Sequence, residues 1–103
     1  ITSRSEIVGV VFVDLNGNNK FDRGEEAITD VLIILDGTEK VKTDRGGQYL
    51  FRKLSPGEHF LEIDLKTLPT KYIPKVPLKK KVAVEKGVTF FYNVPLRATV
   101  QSQ

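Results

Sequence analysis

No window of helical length in this 103-residue chain carries apolar residues at a spacing of 3.6. The apolar residues fall into short β-branched and aromatic runs, cut at close intervals by Gly, Pro and Asp. That pattern restricts the chain to strands and tight reversals. The runs predict seven strands, over 7–13, 31–35, 39–43, 47–52, 59–64, 79–84 and 89–96. Between them "LDGTE", "TDRGGQ", "LSPGE" and "VEKGV" supply the residues that turns demand. The segment "LKTLPTKYIPKVPL" holds three of the five prolines and reads as an extended loop crossing between sheets. Seven short strands in a chain of this length predict an all-β, seven-stranded Greek-key β-sandwich of the prealbumin or immunoglobulin kind. One domain over 7–97 is expected, with the polar stretches 1–6 and 98–103 as linkers.

Alternation assigns the faces. Tyr49, Phe51 and Leu54 point one way, and His59, Leu61 and Ile63 continue the pattern on the next strand. The first strand is apolar on both faces, with Val10 and Phe12 on one and Val11 and Val13 on the other. It is therefore a central strand, or its outer face is covered by a neighbouring domain.

The chain has no cysteine, so neither a disulfide nor a thiolate zinc site can support the core. A bound metal is one of the few remaining staples for a small extracellular domain. The net charge of +3 is spread over the chain, apart from Lys79, Lys80 and Lys81. That run reads as an edge strand blocked by lysine rather than a nucleic-acid patch. No apolar run approaches the roughly 20 residues that span a bilayer, so no membrane insertion by this domain is expected. The chain opens on Ile1, which suggests an excised piece of something longer.

The stretch "DLNGNNKFDRGE", Asp14 to Glu25, places oxygen-bearing side chains at its first, third, fifth, ninth and twelfth positions. Calcium is a hard cation that takes six to eight oxygen ligands, and a twelve-residue loop can wrap it with alternate positions. Asp14, Asn16 and Asn18 would supply the first side-chain oxygens, and Lys20 its backbone carbonyl. Asp22 would bind directly or through a water, and Glu25 would close the site with both carboxylate oxygens. Three carboxylates around a divalent ion suit calcium; magnesium demands tighter octahedral geometry, and zinc would want His or Cys. The sixth position, Asn19, stands where glycine is usual because the chain turns sharply there, and Asn is the next most tolerant of a left-handed backbone. The plain alternative is a polar surface loop, since Asp, Asn and Gly are what loops are made of. The β-rich flanks disfavour a helix-loop-helix hand.

Other polar residues read as structural. His59 is the one histidine, and without a nucleophile or second ligand nearby it is a packed residue. Asp44 starts a turn, with a secondary cation site as its less favoured role. Glu58, Glu62 and Asp64 are near-alternate carboxylates on a strand that offers no cleft, so no catalytic residue is assigned and the chain is not read as an enzyme.

The order "GVVFVDLNGNNKFDRGEEAITDVLIILDG", "TDRGGQYLFRKLSPGEHFLEID", "LPTKYIP" resembles the B domains of bacterial serine–aspartate repeat surface proteins. It is also similar to the wider group of collagen-adhesin B-type and carboxypeptidase-regulatory-like (transthyretin-like) sandwiches. The match runs over 9–74, with the last two strands fitting more loosely. The resemblance implies a domain repeated in tandem at the bacterial cell surface, with Ca2+ held by Asp14, Asn16, Asn18, Lys20 (backbone), Asp22 and Glu25. Asn19 in place of Gly, and His59 in place of Tyr after "PG", are departures from the family pattern. Many relatives form a Lys–Asn isopeptide; Asn93 and Glu62 sit at suitable positions, but the first strand has no lysine, so no such bond is expected.

These readings converge on a calcium-stabilised spacer domain of a larger secreted or cell-surface protein, whose partners are neighbouring domains of the same polypeptide. The alternative is an adhesive module holding a host or matrix protein or a glycan through exposed aromatics, with Phe60, Tyr72, Phe90 and Tyr92 as candidates. A weaker one is an accessory domain of an enzyme or outer-membrane parent.

Overall fold

Nine strands form among residues 5–99, which are the residues this computed structural model describes. They are β1 (Ser5–Val13), β2 (Leu32–Leu35), β3 (Glu39–Lys42), β4 (Gln48–Leu54), β5 (Gly57–Ile63), β6 (Tyr72–Pro74), β7 (Lys79–Val84), β8 (Thr89–Phe91) and β9 (Val94–Ala98). One sheet runs in the order β4-β1-β9-β6, with β8 also paired to β1; the other runs β3-β2-β5-β7. The inner faces meet in a core of Ile7, Val11, Tyr49 and Phe51 from the first sheet against Ile33, Leu35, Leu61, Ile63, Val82 and Val84 from the second. The two-sheet all-β sandwich is as expected, and Tyr49, Phe51, Leu54, His59, Leu61 and Ile63 are all buried as alternation places them.

β1 is a central strand. β4 flanks it on one side, antiparallel, while β8 and then β9 flank it on the other, both parallel. β1 has its second face covered only in part, with Phe12 buried and Val8 and Val10 half-buried. It begins at Ser5, inside the stretch read as linker, and Ser5 is buried with its hydroxyl donating to the Glu85 carbonyl at 2.8 Å. Residues 1–4 and 100–103 of the expected linkers lie outside the described residues.

The count of seven strands is corrected to nine for two physical reasons. The proline-rich crossing contains a short 3-10 turn, Leu65–Thr67, and then β6, which pairs antiparallel with β9. Pro74 ends β6 at the rim of its sheet, where a missing N–H is tolerated. The last predicted strand is broken at Tyr92 and Asn93. There the chain presses on β1 so closely that a Cβ on Gly9 would lie 1.8 Å from the Tyr92 carbonyl oxygen. The Asn93 carboxamide oxygen accepts from the Val10 N–H at 3.1 Å, filling the gap in the ladder between β8 and β9.

The lysine-rich strand β7 is an edge strand, as its sequence indicated. The β2–β3 turn places Asp36 at φ 53° and Gly37 at φ 74°, the left-handed pair of a tight hairpin turn.

Candidate metal centre

The loop Asp14–Glu25 leaves β1 at the pole where β9 also ends, because the two strands run parallel. Its base is closed by backbone pairing: Val13 N–H donates to Glu26 O at 2.8 Å, Phe12 bridges to Ala27, and Ile28 N–H returns to Val11 O at 2.9 Å. Asp14 N–H is held by Leu96 O on β9 at 3.0 Å. Phe12 is fully buried on the face of β1 turned away from the main core, with the Phe21 ring against it at 5.3 Å between centroids. The loop thus carries a small apolar anchor of its own.

Above this base the acceptors turn inward onto the loop's own N–H groups. Asp14 Oδ1 accepts from Gly17 N–H at 3.1 Å and Oδ2 from Asn19 N–H at 2.8 Å. Asn16 Oδ1 accepts from Asn18 N–H, and Asn18 Oδ1 from Lys20 N–H. Glu25 spans the loop, Oε2 accepting from Leu15 N–H and Oε1 from Asp22 N–H, both at 2.9 Å. Asn19 adopts φ 62°, the left-handed conformation expected at the sixth position, and the neighbouring turns use Gly17 and Gly24, also at positive φ.

The structure brings Asn16, Asn18 and Asp22 together directly, for both carboxamides donate to Asp22 Oδ2, at 3.0 and 2.6 Å. Asp14 is engaged by other partners, though near enough for its charge to act on Asp22. The Asp14 side chain is wholly buried and its Oδ2 accepts from the Lys75 ammonium at 2.8 Å. Among the described residues, no three Asp, Glu or His side chains are gathered on one point. The hydrogen bond from Lys75 holds the Asp14 carboxyl below the usual carboxylate range; burial opposes it and the Asn19 N–H assists it. The amides of Asn16 and Asn18 do the same for Asp22, again against burial.

The donor set fits a hard divalent cation in kind. Every predicted ligand atom is an oxygen, two of the carboxyls are held in their ionised form, and a cation already sits on one of them. A carboxylate oxygen that accepts one N–H keeps a further lone pair for an ion, as Asp14 Oδ1 and both Glu25 oxygens do.

Sequence reasoning missed Lys75, which lies in the crossing segment 61 residues from Asp14 and carries no local signal of that partnership. It also missed the Tyr72 hydroxyl, which meets Glu26 Oε1 at 3.2 Å beside the loop base. Asp44 proves to be a turn residue, its Oδ1 accepting from Gly46 and Gln48 N–H. Of the aromatics named as outward candidates, Phe60 is exposed, whereas Tyr72, Phe90 and Tyr92 pack partly against the core; Phe91, not anticipated, is 74% exposed.

A sequence profile of the SdrD B-like domain matches residues 5–79, most of the chain. The chain belongs to the SdrD B-like domain family. No functionally curated protein matches it. Among solved structures, this SdrD B-like domain is similar to GBS52, the minor pilin of Streptococcus agalactiae. The TM-score is 0.74 at 15% identity, over 100% of this chain and 48% of the pilin. The shaft pilin SpaA of Lactobacillus rhamnosus GG gives a TM-score of 0.64 at 8% identity, covering 97% of the domain and 52% of the pilin. The Bacillus anthracis TIE protein gives 0.63 at 14% identity, covering 94% of the domain and 16% of that protein. The domain therefore spans about half or less of each of these chains, and the likeness is one of fold.

Proposed function

We propose that this SdrD B-like domain is a structural spacer in a larger bacterial cell-surface protein, with calcium stiffening the pole at which the chain leaves it. The observation that carries the reading is the parallel pairing of β1 with β9. The polypeptide enters along β1 at one pole and leaves along β9 at the other, so force or reach is transmitted through the whole sandwich. The Asp14–Glu25 loop stands beside the exit and is tied to β9 through Asp14. Two of the structural neighbours, GBS52 and SpaA, are pilins by name, and the third comparison shows the same sandwich as a small part of a much longer protein.

Asp14, Asn16, Asn18, the Lys20 carbonyl, Asp22 and Glu25 would hold the ion. Calcium would supply a central positive charge binding loop oxygens that otherwise satisfy only local N–H groups, and ligation that favours the folded chain raises its stability. A thermal melt of the chelator-treated chain, with and without millimolar CaCl2, tests this. A rise in Tm with calcium is expected; an unchanged Tm, with no calcium retained after dialysis, defeats the calcium part. An adhesive role has one observation in its favour, the exposed Phe91 at a groove of about 520 Å³ beside Val8, Val10 and Leu50. Loss of matrix-protein binding in Phe91→Ala would establish it.

A further inference from the structure

Asp14 is the most buried of the loop's carboxylates and the one already neutralised by the protein itself. Its Oδ2 holds two donors, the Asn19 N–H and the Lys75 ammonium, and its Oδ1 holds the Gly17 N–H. With both acceptor directions of Oδ2 taken, the remaining capacity of the carboxylate lies on Oδ1. Lys75 is not a wandering surface lysine. Its backbone N–H donates to Pro95 O at 2.8 Å, which sets it directly after β6 and against β9, and its side chain is only 26% exposed. The ammonium is thus delivered to Asp14 by β6 and β9, the same strands that hold the loop base through the Tyr72 hydroxyl and the Leu96 carbonyl.

We infer that Lys75 is the built-in counter-cation of the loop, competing with a divalent ion for Asp14 and setting how tightly that ion is held. The inference rests on the calcium reading of the loop and names the residue that tunes it. The electrostatics are direct. An ion bound to Asp14 would stand within a few ångströms of a fixed positive charge, and like charges at that range oppose one another strongly where solvent is partly excluded. Binding therefore requires the ammonium to withdraw, or proceeds against its repulsion. Withdrawal would free the side chain that joins the loop to the β6–β9 edge, so loop ligation and the attachment of that edge are coupled. The pair also explains how the buried Asp14 charge is tolerated as the loop stands, since a buried carboxylate without a partner is strongly destabilising.

The test uses CaCl2 as the probe on the chelator-treated domain, in isothermal titration of wild type, Lys75→Met and Lys75→Arg. A parallel titration follows the Lys75 side-chain Nζ resonance of the wild type by NMR. The expected result is calcium affinity about fivefold or more higher in Lys75→Met, as removal of one repulsive charge at a half-screened site allows. Lys75→Arg, which keeps the charge, should resemble wild type. The wild-type Nζ signal should move to the position of a free, rapidly exchanging lysine as calcium saturates. Binding by Lys75→Met alone supports the inference in its strongest form. Equal affinities with an unmoved Nζ signal overturn it while leaving the calcium reading intact. If none of the three proteins binds calcium, the calcium reading fails and this inference with it. Should Lys75→Met not fold, the Nζ titration of the wild type decides by itself.

Discussion

At the scale of single residues, His59 is a packed residue, and its packing makes it a clamp. It is 8% exposed, and both ring nitrogens face acceptors: Nδ1 lies 2.6 Å from Asp36 Oδ2 and Nε2 2.7 Å from the Ser55 carbonyl. A carbonyl can only accept, and so can an ionised carboxylate, so the geometry calls for an imidazolium with both nitrogens protonated. The Ser55 carbonyl raises the His59 pKa above its ordinary 6.5, against burial and with help from Asp36 and Glu39. Asp36 is pushed up by burial, but the bonds from His59 and the Phe60 N–H outweigh this and hold it below 3.8. The sign follows from linkage. A raised histidine stabilises the fold fully below 6.5 and loses that contribution as pH climbs through its folded value. A lowered carboxylate contributes above 3.8 and loses it as pH falls. The clamp is therefore complete between those limits. Asp36→Asn keeps a residue that tolerates the φ of 53° at the β2–β3 turn. Urea denaturation should find it less stable by about 1 kcal/mol at pH 5.5, a charged hydrogen bond reduced by solvent screening at a side chain that is 39% exposed. The gap should narrow towards pH 9; a gap independent of pH would rule out the charged clamp. Gly9 makes a second residue-scale case. A Cβ there meets the Tyr92 carbonyl at 1.8 Å and the Tyr49 ring at 2.7 Å, both fixed further by the Tyr49 hydroxyl bond to Tyr92 O at 2.5 Å. Gly9→Ala should lose about 3 kcal/mol or more of unfolding free energy, the range of severe overpacking. A loss within experimental error would show that the junction of β8 and β9 yields easily.

At the scale of elements, what the sequence made legible was whatever rests on near neighbours. Strand periodicity, the turn residues and the lysine-marked edge are local signals, and β2, β3, β4, β5 and β7 lie where those signals placed them, to within two residues at an end. The acceptor pattern of Asp14, Asn16, Asn18, Asp22 and Glu25 is equally local, and the left-handed Asn19 follows from its position in that pattern. The rest depends on distant partners. β6 exists because β9 offers it an edge, and no apolar alternation in "KYIPK" announces it. The break between β8 and β9 comes from the close approach to Gly9, 83 residues before Tyr92. Lys75 faces Asp14 only once β6 has docked. The loop element also owes its hold to a contact outside the acceptor pattern, the Phe21 ring on the buried Phe12. Phe21 is 42% exposed, so its removal should leave the sandwich standing and loosen the loop. Phe21→Ala is expected to reduce global stability by only about 1 kcal/mol, the scale of one aromatic pair. Amide exchange over 15–25 should quicken well beyond that of the strands. Uniform quickening across β1, β5 and β9 would instead make Phe21 part of the main core.

At the scale of the whole molecule, the direction of the terminal strands decides how the sandwich meets a load. β1 pairs in parallel with β8 through Glu6, Ile7 and Val8, and then with β9 through Val11, Phe12 and Val13. Tension applied along the chain, from the start of β1 to the end of β9, draws these strands past one another. Every hydrogen bond of the β1–β9 ladder, and the packing of Val11, Val94 and Leu96 beneath it, then shares the force at once. A pull between two points at one pole opens the bonds one after another. Ser5 and the Glu85–Gly87 turn provide such points, being joined there by the Ser5 hydroxyl to Glu85 O and Gly87 N–H. Forced unfolding is governed by the barrier along the pulled direction rather than by equilibrium stability, so the two geometries should differ although the fold is the same. The absence of cysteine lets a single handle be introduced without interference. Lys86→Cys, on an exposed turn, gives the one-pole pull when combined with an attachment at the chain start; attachments at the two chain ends give the through-going pull. Single-molecule force spectroscopy should show higher unfolding force, in one step, for the through-going geometry. Equal forces in the two geometries would mean that the parallel β1–β9 ladder does not bear the load, and the spacer reading would lose the feature that supports it most directly.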